Sequence, residues 1–168
     1  MRLNLAGLLV VASAVLVGST RADTNFLAAA DFSHLAYFES RGARYRDGGQ
    51  IQDALQIIKN HGLNCVRLRL FTSSAAQAGA DPYNYINNNT YTVPLAVRVK
   101  NAGLLFCLDF HYSDTWADPG HQRTPDAWTN LTFTQLVQQM RTYNSNTMVT
   151  FAAAGLLYIA QLWMKGTF

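Results

Sequence analysis

Short, almost wholly apolar stretches alternate along this chain with longer stretches in which apolar residues recur every three or four positions. The short runs are typical of strands buried on both faces, and the longer spacing is typical of amphipathic helices. The pattern predicts four strands, at residues 26–32, 64–71, 104–110 and 156–162. It predicts helices at residues 51–60, 92–102 and 133–154, and loops at residues 42–49, 72–89 and 111–130. Pro94 is expected in the first turn of the second helix.

The ends of two predicted strands carry charged or polar side chains on a single face. In the second strand Arg67 and Arg69 alternate with apolar residues, and at the end of the third strand Asp109 and His111 do the same. Strands that alternate with helices form parallel β/α units, which build either a barrel or an open doubly wound sheet. Charged strand ends favour the barrel, whose active sites lie at that edge.

A dinucleotide-binding sheet would need a Gly-x-Gly-x-x-Gly turn directly after its first strand, and the sequence has none there. We therefore predict an α/β fold of the (β/α)8 TIM-barrel family and no cofactor. A complete barrel takes eight units in about 250 residues. The pattern here provides an incomplete barrel of about four β/α units.

The first 22 residues have the pattern of a secretory signal peptide. Arg2 precedes an apolar run from Leu5 to Gly18, and Thr20-Arg21-Ala22 offers a cleavage site between small residues. The alternative, a membrane anchor, needs about 18 or more apolar residues, and this run is shorter. We expect residues 1–22 to be removed and residues 23–168 to be a secreted domain, extracellular, with no membrane contact after cleavage.

Charge and cysteine content exclude two classes of protein. Loss of Arg2 and Arg21 with the signal peptide removes most of the formal charge of +3, so nucleic acid is not an expected partner. Cys65 and Cys107 are too few for a disulfide scaffold, and we expect two buried free thiols within a domain stabilised by its apolar core. Sequons at Asn88 and Asn130 predict N-glycosylation.

Carboxylates, imidazoles and aromatic rings are concentrated between residues 109 and 128. Such a mixture suits a sugar, because flat rings stack on its C–H face and short polar groups bind its hydroxyls. Trp116 and Trp128 are candidate platforms, and His111, Asp118 and His121 are candidate hydroxyl partners.

Alternative readings of these residues stay open. Each tryptophan could instead cover the end of a helix. Asp114 and Asp118 could cap turns, or join His111 and His121 as metal ligands, although their spacing matches no standard metal-site pattern. One of the two strand arginines could form an ion pair with Asp109.

Three segments carry a resemblance to a known family. Residues 108–121 read Leu-Asp-Phe-His-Tyr-Ser-Asp-Thr-Trp-Ala-Asp-Pro-Gly-His, residues 64–70 read Asn-Cys-Val-Arg-Leu-Arg-Leu, and residues 53–62 read Asp-Ala-Leu-Gln-Ile-Ile-Lys-Asn-His-Gly. With them the chain resembles glycoside hydrolase family 53, the arabinogalactan endo-β-1,4-galactanases, over about residues 28–155. The segment Asp-Pro-Tyr-Asn-Tyr-Ile-Asn-Asn at 81–88 is most similar to secreted fungal members.

This resemblance implies an enzyme that hydrolyses β-1,4-galactosidic linkages in type I arabinogalactan of the plant cell wall. It implies retention of configuration by two glutamates, with their carboxyl groups about 5–5.5 Å apart. The first family glutamate belongs to a Gly-Asn-Glu motif at the end of strand four, and the second ends strand seven. The only glutamate of this sequence is Glu39, before the second predicted strand. We therefore expect the N-terminal half of the barrel, without turnover on its own.

The combined interpretation is a monomer that binds galactan or arabinogalactan, with no catalytic residue and no metal ligand assigned. The alternatives are a non-catalytic galactan-binding remnant or an unstable fragment. The candidate substrate-binding residues are Arg69, Asp109, His111, Tyr112, Trp116, Asp118 and His121.

Overall fold

The computed structural model of the 168-residue protein describes residues 26–156 and the backbone of residues 159–162. The predicted signal peptide lies outside the described residues. The strands are β1 (Ala29–Asp31), β2 (Tyr45–Asp47), β3 (Gln50–Gln52), β4 (Cys65–Leu70), β5 (Leu105–Phe110) and β6 (Ile159–Leu162). The helices are α1 (Leu35–Ser40), α2 (Ala54–Asn60), α3 (Ala75–Ala80), α4 (Pro82–Tyr85), α5 (Asn89–Asn101) and α6 (Phe133–Ala153), with a 3₁₀ turn at Asp126–Trp128.

Four strands form one parallel sheet in the order β1-β4-β5-β6, and these are the four that the apolar pattern predicts. Helical segments connect consecutive strands of this sheet, as parallel pairing requires. The register places Arg67 beside Cys107 and Arg69 beside Asp109. The polar residues of β4 and β5 therefore share one face of the sheet.

The opposite face of the sheet carries the hydrophobic core. Val66, Leu68 and Leu108 are fully buried there and belong to one cluster with Val99 of α5 and Phe151 of α6. The alternation along β4 and β5 thus separates an apolar face under the helices from a polar face on the other side. None of the helices in the described part of the chain is long and apolar enough to cross a membrane.

Local sequence signals explain where the long helices begin and end. Helix α6 starts with a capping box in which Thr132 accepts from the Gln135 backbone N–H and the Gln135 side chain accepts from the Thr132 N–H. Helix α5 starts at Asn88, whose side chain accepts from the Tyr91 N–H. Gly103, with φ of +72°, then ends this helix and turns the chain into β5.

Several predicted boundaries are wrong. The predicted loop at 42–49 contains β2 and leads into a hairpin with β3, whose turn is Gly48-Gly49 with φ of +53° and +80°. Ile51 lies in β3 and not in the helix that follows. The loop predicted at 72–89 contains α3 and α4, and Pro94 lies inside α5, beyond its first turn.

Candidate functional site

The carboxyl ends of β1, β4 and β5 lie at one edge of the parallel sheet, where Asp31 of β1 and Arg69 of β4 line a groove. The groove consists of two adjoining clefts of about 370 Å³ each, which share His34, Arg69 and Tyr83. The first cleft, here called the tryptophan cleft, is completed by Phe71, Asn84, Thr115 and Trp116. The second, here called the β1 cleft, is completed by Asp31, Phe32, Leu35, Phe38 and Tyr45.

Charged residues on the inner face of the sheet form a network beneath this groove. Arg67 donates to Asp109 and also to Asp31, with Nη1 at 2.6 Å from the Asp31 Oδ2. Arg69 Nε lies 3.0 Å from the same Asp31 oxygen, an ionic contact without the alignment of a hydrogen bond. The predicted pairing of a strand arginine with Asp109 is confirmed for Arg67. Such pairing compensates the cost of burying the Asp109 carboxylate.

Asp109 and His111 lie below the groove surface, and the prediction that they contact a ligand directly is not supported by their burial. The side chains of both residues are completely inaccessible to solvent. The His111 Nδ1 accepts a hydrogen bond from the Ala117 N–H at 3.0 Å, so the neutral ring carries its proton on Nε2. That Nε2 donates to the Asp109 Oδ2 at 2.8 Å. The pair fixes the start of the loop that follows β5.

Tyr112 packs into the core and lines neither cleft, so its assignment as a substrate contact stays a prediction without support from its position. Its backbone is left-handed, with φ of +47°, and this turns the side chain into the core. The ring stacks on Phe110 at 5.9 Å, and the hydroxyl donates to the Asn144 Oδ1 at 3.1 Å. Burial raises the pKa of Tyr112. These contacts hold the Tyr112 side chain within the core.

Trp116 lies at the rim of the groove with 48% of its surface exposed. Its ring is 5.9 Å from the ring of His121, at an angle of 36°. The side chain thus combines an available face with a neighbour that restricts its movement. This geometry supports Trp116 as a platform for a flat ligand face.

Asp118 and His121 pair with each other in a turn outside both clefts. The His121 Nδ1 is 3.0 Å from the Asp118 Oδ1, which also accepts from the Gly120 N–H at 2.6 Å. Desolvation acts to raise the pKa of Asp118, but the hydrogen bonds from His121 and Gly120 outweigh it and lower the pKa. The turn-forming alternative therefore describes Asp118, and neither residue lines the groove.

The metal-site alternative is not supported in the described part of the chain. His111 and Asp114 are buried, whereas Asp118 is half-buried and His121 is exposed. No group of three or more His, Cys, Asp or Glu side chains among the described residues could hold a metal ion.

The structure also places Trp128, the second candidate sugar platform, and the two sequon asparagines. Trp128 is only 7% exposed and packs edge-on against Tyr143 at 5.8 Å, so it covers the core instead of facing the groove. Asn88 is 8% exposed and its amide oxygen caps α5 by accepting from the Tyr91 N–H, and glycosylation of Asn88 stays a prediction. Asn130 is exposed, so glycosylation there stays a prediction.

Sequence reasoning missed several residues that line the groove: His34, Phe71, Tyr83 and Asn84. Tyr83 lies in α4, where Asp81 caps the helix and Pro82 occupies its first position. An aspartate followed by proline at a helix start is a recognised signal, and it could have placed Tyr83 on a short helix in the predicted loop.

Comparison with known protein sequences identifies the family of this chain. The sequence model of Glycosyl hydrolase family 53 matches residues 27–161. A protein of Neosartorya fischeri named "Probable arabinogalactan endo-beta-1,4-galactanase A" is 40% identical over 128 residues, which are 76% of this chain and 34% of that protein. An arabinogalactan endo-beta-1,4-galactanase of Cellvibrio japonicus is 37% identical over 136 residues, 80% of this chain and 34% of that protein. The chain spans about a third of the length of these relatives.

Solved structures agree with the sequence comparison. The Ignisphaera aggregans GH53 catalytic domain superposes with a TM-score of 0.71 and 32% identity, covering 79% of this chain and 37% of that domain. A fungal beta-1,4-galactanase structure gives a TM-score of 0.68 and 30% identity, covering 79% of this chain and 41% of the other. The predicted barrel family, present here as part of a barrel, is thereby confirmed. The motifs around β4 and β5, the fold and the matched relatives together show that this chain belongs to glycosyl hydrolase family 53.

Proposed function

We propose that this chain forms the β1–β5 wall of the galactan-binding groove of an arabinogalactan endo-β-1,4-galactanase. The observation that carries the proposal is the tryptophan cleft, in which the exposed Trp116 faces a space lined by Phe71, Tyr83 and Arg69. Galactanase names among the relatives support the choice of polysaccharide.

The chemistry of the cleft suits a β-linked galactosyl unit. Trp116 and Tyr83, 48% and 58% exposed, offer ring faces to the C–H side of a pyranose. Arg69 provides guanidinium donors for hydroxyl oxygens, and its charge is partly balanced by Asp31. A neutral polysaccharide therefore meets flat apolar surfaces and hydrogen-bond donors without an unpaired charge.

The described residues support binding more directly than hydrolysis. Glu39, the only glutamate of the sequence, lies on α1, where both its carboxylate oxygens accept from Arg98, at 2.5 and 2.9 Å. It lines neither cleft. A retaining mechanism needs two carboxyl groups about 5–5.5 Å apart across the scissile bond. We infer that this chain alone binds galactan and does not cleave it.

Calorimetric titration of the purified protein with β-1,4-galactotetraose tests the binding proposal. Trp116→Ala removes the platform, and since an aromatic contact contributes about 0.5–1.5 kcal/mol, affinity is expected to fall about 2- to 10-fold. Phe133→Ala, an exposed aromatic on α6 outside both clefts, is the matched control. Absence of binding, or equal affinity in Trp116→Ala and Phe133→Ala, contradicts the proposal.

An assay of reducing ends released from β-1,4-galactan tests the inference that this chain does not cleave the polysaccharide. No release is expected from this chain. Endo-cleavage by the purified protein would overturn the inference that it binds without hydrolysing.

We further propose that the chain is exported and acts outside the cell as a monomer. The signal-peptide pattern of residues 1–22 supports export, and the exposed sequon at Asn130 is compatible with it. Amino-terminal sequencing of the protein recovered from culture medium is expected to start at Asp23. Retention of the uncleaved chain in cells would contradict export.

A further inference from the structure

The hairpin of β2 and β3 has one face that packs against the protein and one face that is open to solvent. Tyr45, on the inner face, lines the β1 cleft and packs against the hydrophobic core. Arg46 alternates with Tyr45 and lies on the opposite face, where the register places it beside Ile51. Arg44, two residues before Arg46, is exposed as well, and Ile51 is 57% exposed. The outer face of the hairpin therefore combines two cations with an apolar side chain.

A third arginine extends this cationic surface. Arg41 follows α1 and is exposed, three residues before Arg44. Its Cα is therefore at most about 11 Å from that of Arg44. The Arg41 guanidinium lies over the Tyr37 ring, 5.2 Å from the ring centroid, which restricts its movement. Three guanidinium groups thus lie within six consecutive residues.

The carboxylates nearest in sequence to the hairpin have other basic partners. The Asp47 Oδ2 lies 3.0 Å from the His61 Nε2. Arg98 forms ion pairs with both Glu39 and Asp53. These three carboxylates therefore do not neutralise the arginines of the hairpin.

The hairpin arginines use few of their donors within the described part of the chain. The Arg44 Nη1 donates to the Ala43 carbonyl oxygen at 2.8 Å, and the Arg46 Nη1 donates to the Gly49 carbonyl oxygen at 3.1 Å. These contacts hold each side chain but leave its charge without a carboxylate. Since a guanidinium has five N–H donors, most of them stay available to a ligand.

The spacing of these cations indicates a polymeric ligand with carboxylates. A guanidinium binds a planar carboxylate through two parallel hydrogen bonds, which favours this anion. Positions two residues apart on a strand are separated by about 6.6 Å, so Arg44 and Arg46 suit carboxylates on different units of one polymer. The exposed Ile51 beside Arg46 offers an apolar contact for the C–H face of a sugar ring.

We propose that the outer face of the β2–β3 hairpin binds an acidic polysaccharide whose sugar units carry carboxylates, a uronate polymer. This surface is separate from the groove, because neither Arg44 nor Arg46 lines either cleft. The inference goes beyond the proposed function, in which a neutral galactan occupies the groove. Tyr45 lines the groove from the inner face of the same hairpin, so the two polysaccharides would lie side by side.

Calorimetric titration of the full protein with polygalacturonate tests the inference. Its methyl ester is the matched ligand, because it keeps the sugar chain and removes the charge. The acid form is expected to bind at least about fivefold more tightly than the ester, and this difference is expected to shrink between about 50 and about 300 mM sodium chloride. Equal affinity for acid and ester, or no binding of the acid form, overturns the inference.

Variants of the hairpin locate the site. Arg44→Gln combined with Arg46→Gln is expected to weaken polygalacturonate binding about 4- to 25-fold, since each exposed ion pair changes affinity about two- to fivefold. Arg44→Lys combined with Arg46→Lys keeps both charges and is expected to stay within about threefold of the unmodified protein. Arg123→Gln combined with Arg141→Gln removes two exposed charges elsewhere and is the control, expected to stay within about twofold.

The outcomes separate this inference from the proposed function. Equal affinities of the hairpin glutamine variant and the control variant overturn the inference, as does single-stranded DNA that binds as tightly as polygalacturonate. Galactotetraose affinity is expected to be the same in the hairpin variant and the unmodified protein, which shows that the fold and the groove are intact. A protein that binds galactotetraose but not polygalacturonate refutes the inference alone. Binding of polygalacturonate without binding of galactotetraose supports the inference and refutes the proposed function.

Discussion

Replacement of Asp114 is expected to separate the two loops that form the tryptophan cleft. Asp114 is 8% exposed and follows β5, two residues before Trp116. Its Oδ1 accepts from the Thr72 hydroxyl at 2.7 Å, and its Oδ2 accepts from the Gln77 side chain at 3.1 Å and from the Asp126 N–H at 2.8 Å. One buried carboxylate therefore joins the loop after β4 to both ends of the loop after β5.

The expected change in the free energy of unfolding depends on whether each hydrogen-bond donor finds another partner after the Asp114 carboxylate is lost. Thr72 and Gln77 are half-buried and can turn towards water, whereas the backbone N–H of Asp126 is held in place by the 3₁₀ turn that begins there. Hydrogen bonds to a charged group contribute about 1.5–3 kcal/mol, so Asp114→Ala is expected to lower the free energy of unfolding by about 2–4 kcal/mol. Asp114→Asn is expected to cost only about 1 kcal/mol, because the amide oxygen still accepts and the Thr72 hydroxyl can accept from the amide nitrogen.

Urea unfolding followed by circular dichroism measures these differences. A double-mutant cycle with Thr72→Val is expected to give a coupling energy of about 1 kcal/mol with Asp114→Ala. Asp118→Ala, which removes another carboxylate of the same loop, is expected to cost less than Asp114→Ala, because the charge of Asp118 is screened by solvent. A cost for Asp114→Ala no larger than that of Asp118→Ala, or the absence of coupling to Thr72, would show that Asp114 does not join the two loops.

Three further outcomes are expected. Gly103→Ala should destabilise the protein by more than about 1 kcal/mol, since φ is +72° and an added Cβ would lie 2.7 Å from a lysine ammonium nitrogen. Gly79→Ala, inside α3 with open space around it, should stabilise the protein by up to about 1 kcal/mol. Equal unfolding midpoints of the two variants and the unmodified protein would contradict both expectations. Burial acts to raise the pKa of Asp53, but its ion pair with Arg98 outweighs burial and lowers the pKa. The stabilisation by this pair is therefore complete above about pH 4 and is lost as pH falls through the lowered pKa of the folded state. Asp53→Asn, which keeps the helix cap, should reduce the loss of unfolding free energy at acid pH, and an unchanged loss would show that Asp53 does not cause it. Cys65 is 1% exposed, and burial raises the pKa of its thiol. Alkylation of Cys65 at pH 8, followed by mass spectrometry, should therefore be slow in the native protein and fast in urea. Equal rates would show that the thiol is accessible in the folded protein.

The local pattern of apolar and polar residues was enough to predict the sheet and its two faces. Strand periodicity is a local property, since the side chains of Arg67 and Arg69 must share a face whatever surrounds them. The four apolar runs therefore predicted β1, β4, β5 and β6, and the motif around β5 identified the family that the comparisons confirm.

Short elements within the loops were less accessible to sequence reasoning. The hairpin of β2 and β3 depends on left-handed backbone at Gly48 and Gly49, which the glycines permit but do not require. Helices α3 and α4 are four to six residues long, too short for a hydrophobic period to show.

Tertiary structure alone decided which residues of the polar loop face the groove. Tyr112 and Trp116 have similar chemistry, yet a left-handed backbone turns Tyr112 into the core while Trp116 stays at the rim. Tyr83 joins the groove from a different loop, through contacts with His34 that are distant in sequence. Strand faces follow from backbone geometry over a few residues, whereas the direction of a loop side chain depends on contacts across the chain that no local pattern encodes.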